Sequence, residues 1–140
     1  MVVDTSALLA YLQGEAGGQV VQEVLAGGSV LLSSVNRVEL KGKLVGSGAF
    51  TPYEVETRLN VLSHLLTVVD FDLEQSDVAA FYYARRHPYN LSLGDCVCLA
   101  LAETRGLAVL TAEKGWAKIP DLPYVISLPS QNSRGKYVLG

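Results

Sequence analysis

The chain reads as an α/β protein, with a mainly parallel central sheet of about five strands and helices on both faces. Short runs of β-forming apolar residues alternate with longer stretches of helical pattern, the order a parallel sheet requires because every strand needs a crossover before the next. With 140 residues, 49% of them hydrophobic, and a mean hydropathy of +0.27, there is ample material for the core of one ordinary domain.

Val2-Val3 predicts the first strand, and helical patterns follow over 6–12 and 19–25. Val30-Leu31-Leu32 predicts the second strand and 35–45 the next helix. Thr51-Pro52-Tyr53-Glu54 has the form of a capping box with proline at the first helical position, which opens a helix near 53–66. After a third strand at Thr67-Val68-Val69, Asp72-Leu73-Glu74-Gln75 reads as a second capping box ahead of a helix over 76–86. The helix expected over 95–104 is apolar on every side from Cys96 to Ala102, as in a helix buried mid-domain. The last two strands fall at 107–110 and 124–126. The Gly17-Gly18, Gly27-Gly28 and Gly46-Ser47-Gly48 steps read as turns, and neither a Gly-x-Gly-x-x-Gly fingerprint nor a P-loop occurs.

Several function classes are disfavoured at once. No apolar run approaches the ~18 residues of a membrane span, and no basic segment precedes the first apolar residues, so the expectation is a soluble, cytoplasmic protein with no membrane role. A net charge of −3 argues against coating nucleic acid by bulk attraction, though acids gathered around a metal are compatible with a nuclease. Cys96 and Cys98, two apart on a helix, point to nearly opposite sides. They can neither pair nor share a metal, and read as small core residues in a reducing compartment.

Four carboxylates fall where a short apolar run stops or just inside the following helix: Asp4, Glu39, Asp95 and Glu113. In an open parallel sheet the carboxyl ends of the strands converge on one crevice, so distant acids can share it. Anions that close repel one another unless a cation lies between them, which makes a divalent metal the natural inference. Each acid also has a plainer role. Asp4 can cap the first helix, Asp95 completes a capping box with Ser92, Glu39 precedes Lys43 by four residues, and Glu113 can be a solvated first-turn acid. An oxygen-only ligand set favours Mg²⁺ or Mn²⁺ over zinc. His64 and His87 have no partner motif and read as structural or exposed.

Four segments in order, Val2-Val3-Asp4-Thr5-Ser6, Ser34-Val35-Asn36-Arg37-Val38-Glu39, Leu91-Ser92-Leu93-Gly94-Asp95 and Val109-Leu110-Thr111-Ala112-Glu113 with Trp116 following, resemble the PIN-domain ribonucleases, above all the VapC-type toxins of toxin–antitoxin pairs. The resemblance implies a three-layer α/β/α nuclease domain over 1–128 and a polar tail over 129–140. It implies that Asp4, Glu39, Asp95 and Glu113 are the catalytic, metal-binding acids, the last at a position more often aspartate, and that Ser6 and Thr111 are supporting hydroxyls. Asn90 stands where relatives often carry glycine, and asparagine tolerates a left-handed turn. The implied activity is endoribonucleolytic hydrolysis of RNA phosphodiesters (tRNA, rRNA or mRNA) by a cation-activated water, leaving 5′-phosphate and 3′-hydroxyl ends. The implied partners are a cognate antitoxin and a second copy in a homodimer.

Among the cations, Arg37 and Lys114 adjoin site segments and are the expected substrate contacts; Arg85-Arg86, Lys41, Lys43 and Lys118 are further candidates. Trp116 reads as filling a helix–sheet gap. Arg134, Lys136 and Tyr137 in the tail are open to RNA or partner contact. Two other classes compete: a PIN-like module that binds RNA or protein without cleaving, and a phospho-receiver domain. The latter needs paired acids after the first strand and a lysine after the last, where this chain has Asp4-Thr5-Ser6 and Ile126-Ser127-Leu128-Pro129.

Overall fold

A computed structural model describes residues 1–131, 137 and 138. Five strands, β1 (Val2–Val3), β2 (Leu31–Ser33), β3 (Thr67–Val69), β4 (Val109–Thr111) and β5 (Val125–Ser127), pair in parallel in the order β3-β2-β1-β4-β5. The first strand is therefore central. The chain winds outward to one side through β2 and β3, then returns to the other side of β1 for β4 and β5. Crossovers diverge at that reversal, which opens a crevice beyond the carboxyl ends of the strands.

The sheet is covered on both faces. One face packs against α1 (Thr5–Leu12), α2 (Gly18–Ala26), α3 (Ser34–Ser47) and α4 (Pro52–Leu65) around Val3, Leu8, Leu32, Leu40, Leu44 and Leu110. The other packs against α5 (Leu73–Ala84) and α6 (Leu93–Arg105) around Val2, Tyr82, Leu99, Leu101, Val109 and Trp116. Val2 and Val3 face opposite cores, as the two-residue period of a strand demands, and burial of both explains why β1 is apolar throughout. The three-layer α/β/α expectation holds. In α6 every residue from Cys96 to Ala102 is buried. Both cysteines are free, and burial pushes the Cys96 thiol up to about 11 and Cys98 well above its ordinary value. They serve as protonated core residues, and Trp116 fills the core as expected.

Helix starts follow the sequence, with one exception. Thr51 with Glu54 and Ser92 with Asp95 each close a reciprocal capping box. The Asp72 carboxylate accepts from Gln75 N at 2.9 Å, but the return bond is missing, because buried Gln75 donates its side-chain amide to Asp70 O at 3.1 Å. α5 then runs over Leu73–Ala84 instead of 76–86. β4 begins at Val109 rather than 107, since Gly106 turns the chain at φ 63° and Leu107 N still donates to Ala102 O of α6 at 2.9 Å. Asn90 adopts the left-handed conformation at φ 56°.

Among the described residues no helix is long and apolar enough to cross a membrane. Ser130–Gln131 pairs antiparallel with Tyr137–Val138 as a separate two-stranded ribbon. Arg134 and Lys136 lie outside the described residues.

Candidate active site

The crevice is a cavity of about 250 Å³ whose walls include Asp4, Glu39, Asp95 and Glu113. Four segments that span 110 positions thus meet at the sheet's topological reversal. Asp4 follows β1, Glu39 lies one turn into α3, Asp95 is in the first turn of α6, and Glu113 follows β4. They form a gradient of burial: Asp4 is 4% exposed, Glu39 and Asp95 are half-buried, and Glu113 is exposed.

Asp4 is held at both oxygens. Oδ1 accepts from Ser6 Oγ at 2.7 Å and from Ala7 N at 2.9 Å, which caps α1, while Oδ2 accepts from Thr111 Oγ1 at 2.7 Å. Burial nevertheless dominates and pushes the carboxyl up to about 6, against the lowering effect of those three donors; the Asp95 charge raises it further. Ser6 Oγ also accepts from Ala112 N at 3.0 Å, and Thr111 Oγ1 from Glu113 N at 2.9 Å. The two hydroxyls thereby tie the end of β1 to the corner after β4. Replacing Thr111 with valine strands the Glu113 N–H and removes a donor from Asp4. An expected loss of about 1–3 kcal/mol would be read as a lower midpoint in urea unfolding; an unchanged midpoint would contradict this role.

Glu39 is oriented by two residues that its sequence context did not flag. Asn36 Nδ2 donates to Glu39 Oε1 at 2.8 Å and to Gly94 O at 3.0 Å, and Thr5 Oγ1 lies 3.1 Å from the same Oε1. Asn36 is 1% exposed, so its amide bridges α3 to α6 inside the protein, with Oδ1 left without a partner among the described residues. Gly94 is the matching small residue. A Cβ there would collide with the Glu39 carboxylate. The spacing of Asn36 and Glu39, three apart on one helix face, was the visible hint.

Asp95 Oδ2 accepts from Ser92 N at 2.9 Å, which completes the cap. Burial raises its carboxyl, the Ser92 contacts lower it, and the charges of Glu113 and Glu39 raise it again. The four acids are neighbours around one cavity. Among the described residues, however, no group of three or more histidine, cysteine, aspartate or glutamate side chains is drawn together tightly enough to hold an ion. Like charges spread, and three of the acids are held apart by their own partners: Asp4 and Asp95 as helix caps, Glu39 by Asn36 and Thr5. The donor set, all oxygen and mutually repelling, is chemically that of a hard divalent cation.

The basic residues differ from the sequence expectation. Arg37 and Lys114 are not among the cavity's lining residues: Arg37 borders a small gap between α3 and α4, and Lys114 Nζ donates to Leu128 O. The lining cation is Lys43, which makes no ion pair with Glu39 among the described residues, where Glu39 is engaged by Asn36 and Thr5. Lys41 pairs with Glu56 at 2.8 Å instead. His64 and His87 are exposed, and neither lines the cavity.

The PIN-domain family model matches residues 1–122. The chain belongs to the PIN-domain family. This PIN domain is 34% identical over 116 residues to the VapC ribonuclease Mb2780c of Mycobacterium bovis, a match covering 79% of this chain and 88% of that protein. It is 31% identical over 114 residues to the ribonuclease VapC of Mycolicibacterium smegmatis, with the same shares covered. Among solved structures, the fold is similar to that of Rickettsia felis VapBC2 bound to a promoter DNA fragment (TM-score 0.70, 14% identity, 90% of this chain and 96% of that chain). It is similar also to Mycobacterium tuberculosis VapC20, a sarcin–ricin loop cleaving toxin (TM-score 0.66, 17% identity, 84% and 92% covered).

Proposed function

We propose that this PIN domain is an endoribonuclease acting as the toxin of a toxin–antitoxin pair. The observation that carries this reading is the meeting of Asp4, Glu39, Asp95 and Glu113 in one cavity at the sheet's reversal. Sequence kinship with VapC ribonucleases of two mycobacteria supports it. Asp4, Glu39 and Asp95 are the residues that would hold a Mg²⁺ or Mn²⁺ ion, with Glu113 as an outer fourth acid. Bound there, such an ion would supply water activation and neutralise charge on the scissile phosphate.

The chain's own groups do the positioning. Ser6, Ala7 and Thr111 fix both Asp4 oxygens, and Asn36 with Thr5 fixes Oε1 of Glu39. Lys43 on the rim offers an ammonium to a phosphate that enters an otherwise anionic cavity. The first turn of α6 adds the positive end of a helix beside Asp95 and Glu39. Solved neighbours that are VapBC assemblies support an antitoxin as protein partner, and a cytosolic homodimer is part of the same proposal.

Incubation with single-stranded RNA and Mn²⁺ tests this. The parent chain is expected to cleave; Asp95→Asn, which keeps an acceptor for Ser92 N, and Glu39→Gln are expected to lose ~100-fold or more while melting as folded proteins. Because the acids do not close on a single point, a module that binds RNA without cutting it is the competing reading. Intact RNA after incubation with the parent, together with equal Mn²⁺ binding by parent and variants, would establish that module instead.

A further inference from the structure

Beside the acidic cavity lies a second one, of about 270 Å³, with a different chemistry. Its walls include Tyr82, Arg85, His87, Tyr89, Leu91 and Pro120. Flat aromatic and proline surfaces make the interior, and two basic side chains stand at its edge. The two cavities share one strip of chain: Tyr89 and Leu91 line this one, while Asn90 and Ser92 line the acidic one. Alternate residues of this strip thus line opposite cavities, with Asn90 itself in the left-handed conformation at φ 56°. Neighbouring Cα atoms are about 3.8 Å apart, so the two pockets lie within roughly one or two nucleotides of each other.

Arg85 lines this cavity, and Arg86 is its neighbour in the chain. Arg86 Cζ sits 4.2 Å from the centroid of the Tyr83 ring and Arg85 Cζ 5.3 Å from that of Tyr82, and Arg86 Nη1 donates to Tyr83 O at 2.9 Å. Stacking and that hydrogen bond hold the guanidinium groups in place before any ligand arrives. Among the described residues, neither Arg85 nor Arg86 makes an ion pair, and no acid is among the residues lining this cavity; Glu103, which accepts from the Tyr82 hydroxyl at 3.0 Å, lines a different one. Tyr89 is 39% exposed and Tyr83 41% exposed, so both rings remain partly accessible to a ligand. A chain of net charge −3 therefore carries a local basic and aromatic patch next to its acids.

We propose that this second cavity is a nucleobase subsite for single-stranded RNA: a base one or two positions from the scissile phosphate stacks on Tyr89, and Arg85 in the cavity wall, with Arg86 next to it in the chain, holds the adjoining phosphates. Aromatic faces take bases through stacking, and guanidinium groups take phosphate oxygens in a fixed fork. An apolar-walled slot selects for unpaired nucleotides, because a base locked in a duplex cannot enter it. The inference deepens the ribonuclease reading and rests on it.

The test uses the full chain carrying Asp4→Asn, which blocks cleavage, and a fluorescein-labelled single-stranded RNA. Tyr89→Ala is expected to weaken binding about tenfold, Tyr89→Trp to keep it within about twofold, and Arg85→Ala to weaken it about threefold while lowering the salt slope by about one. An abasic nucleotide at the stacked position should abolish the difference between the Tyr89→Ala variant and the chain that retains the tyrosine. Melting curves confirm that each variant is folded. If Tyr89→Ala and Arg85→Ala bind RNA like their parent while the unmutated chain still cleaves RNA, the subsite is wrong and the ribonuclease stands. If Tyr89→Ala leaves RNA affinity intact but loosens a co-expressed polypeptide partner, the cavity is a protein-docking site and the subsite is equally overturned. Failure of the unmutated chain to cut RNA at all would instead remove the ribonuclease reading beneath it.

Discussion

Asp4→Asn is expected to abolish RNA cleavage and, in the presence of chelator at pH 7.5, to melt at a higher temperature than the parent. Burial is the reason: Asp4 is 4% exposed and its carboxyl is pushed up to about 6 from 3.8. A carboxyl whose folded-state value lies above its unfolded one favours folding while protonated. That contribution is complete below about pH 3.8 and is lost as pH rises through about 6, so at neutral pH the native state carries an unfavourable buried charge. The shift corresponds to an upper bound of roughly 3 kcal/mol. Asparagine keeps the hydrogen bonds. Its Oδ1 accepts from Ser6 Oγ and Ala7 N, and its Nδ2 donates to Thr111 Oγ1, whose own hydrogen turns to Ser6 Oγ 3.3 Å away. About 1–2 kcal/mol of the penalty should be recovered, or roughly 3–6 °C in melting temperature. The pH signature is the sharper check. The difference in melting temperature should be near zero at pH 4, grow between pH 4 and 6, and level off above. Added Mn²⁺ should raise the melting temperature of the parent and leave the asparagine variant where it is. A variant that melts lower than the parent at pH 7.5, or a difference that does not change with pH, would show that Asp4 is not held against its own charge. Stability sacrificed at this position is what a site built for a cation, and not for the apo fold, requires.

Much of this arrangement was legible in the residues. The alternation of short apolar runs with helical stretches marked all five parallel strands, because the central strands β1 and β4 are buried on both faces and even the exposed edge strand β3 is β-branched throughout. The capping boxes at Thr51 and Ser92 could be read because their chemistry is local, within four residues. The acids could be grouped because strand ends converge. What escaped was set by packing between elements distant in sequence. Asn36 and Gly94 meet 58 positions apart, and nothing near either residue announces that a buried amide will bridge α3 to α6. Gln75 failed to close its capping box for a similar reason: its side chain is buried and finds Asp70 O first. For the basic residues, adjacency in sequence misled. Arg37 is two positions from Glu39, a spacing that places the two on different sides of a helix, whereas Lys43, four positions on, shares its face and lines the cavity. Lys114 is drawn away by the Leu128 carbonyl at the end of the next strand.

Gly94→Ala should disable the enzyme without unfolding it. A Cβ at position 94 would overlap the Glu39 carboxylate, the far end of a flexible side chain, so Glu39 moves and the backbone stays. Alanine suits this position otherwise. Gly94 lies in the first turn of α6, its φ is not in the left-handed range, and alanine in a helix is favoured over glycine by about 1 kcal/mol. That gain offsets part of the strain of breaking the Asn36 and Thr5 bonds to Glu39, and the net stability change should stay within about 1 kcal/mol. Activity is far less forgiving, because a displacement of about 1 Å in a positioning group can lower the rate ~100-fold. Cleavage of single-stranded RNA is therefore expected to fall about 100-fold at nearly constant melting temperature. Combining Gly94→Ala with Glu39→Asp withdraws the carboxylate by one methylene and should recover part of the lost rate, although Glu39→Asp alone lowers it. Such recovery cannot come from a general loss of fold, since two independently harmful changes would then add. Cleavage by Gly94→Ala at the parental rate would mean that the Glu39 carboxylate, tied as it is to Asn36, does not need its present position for catalysis.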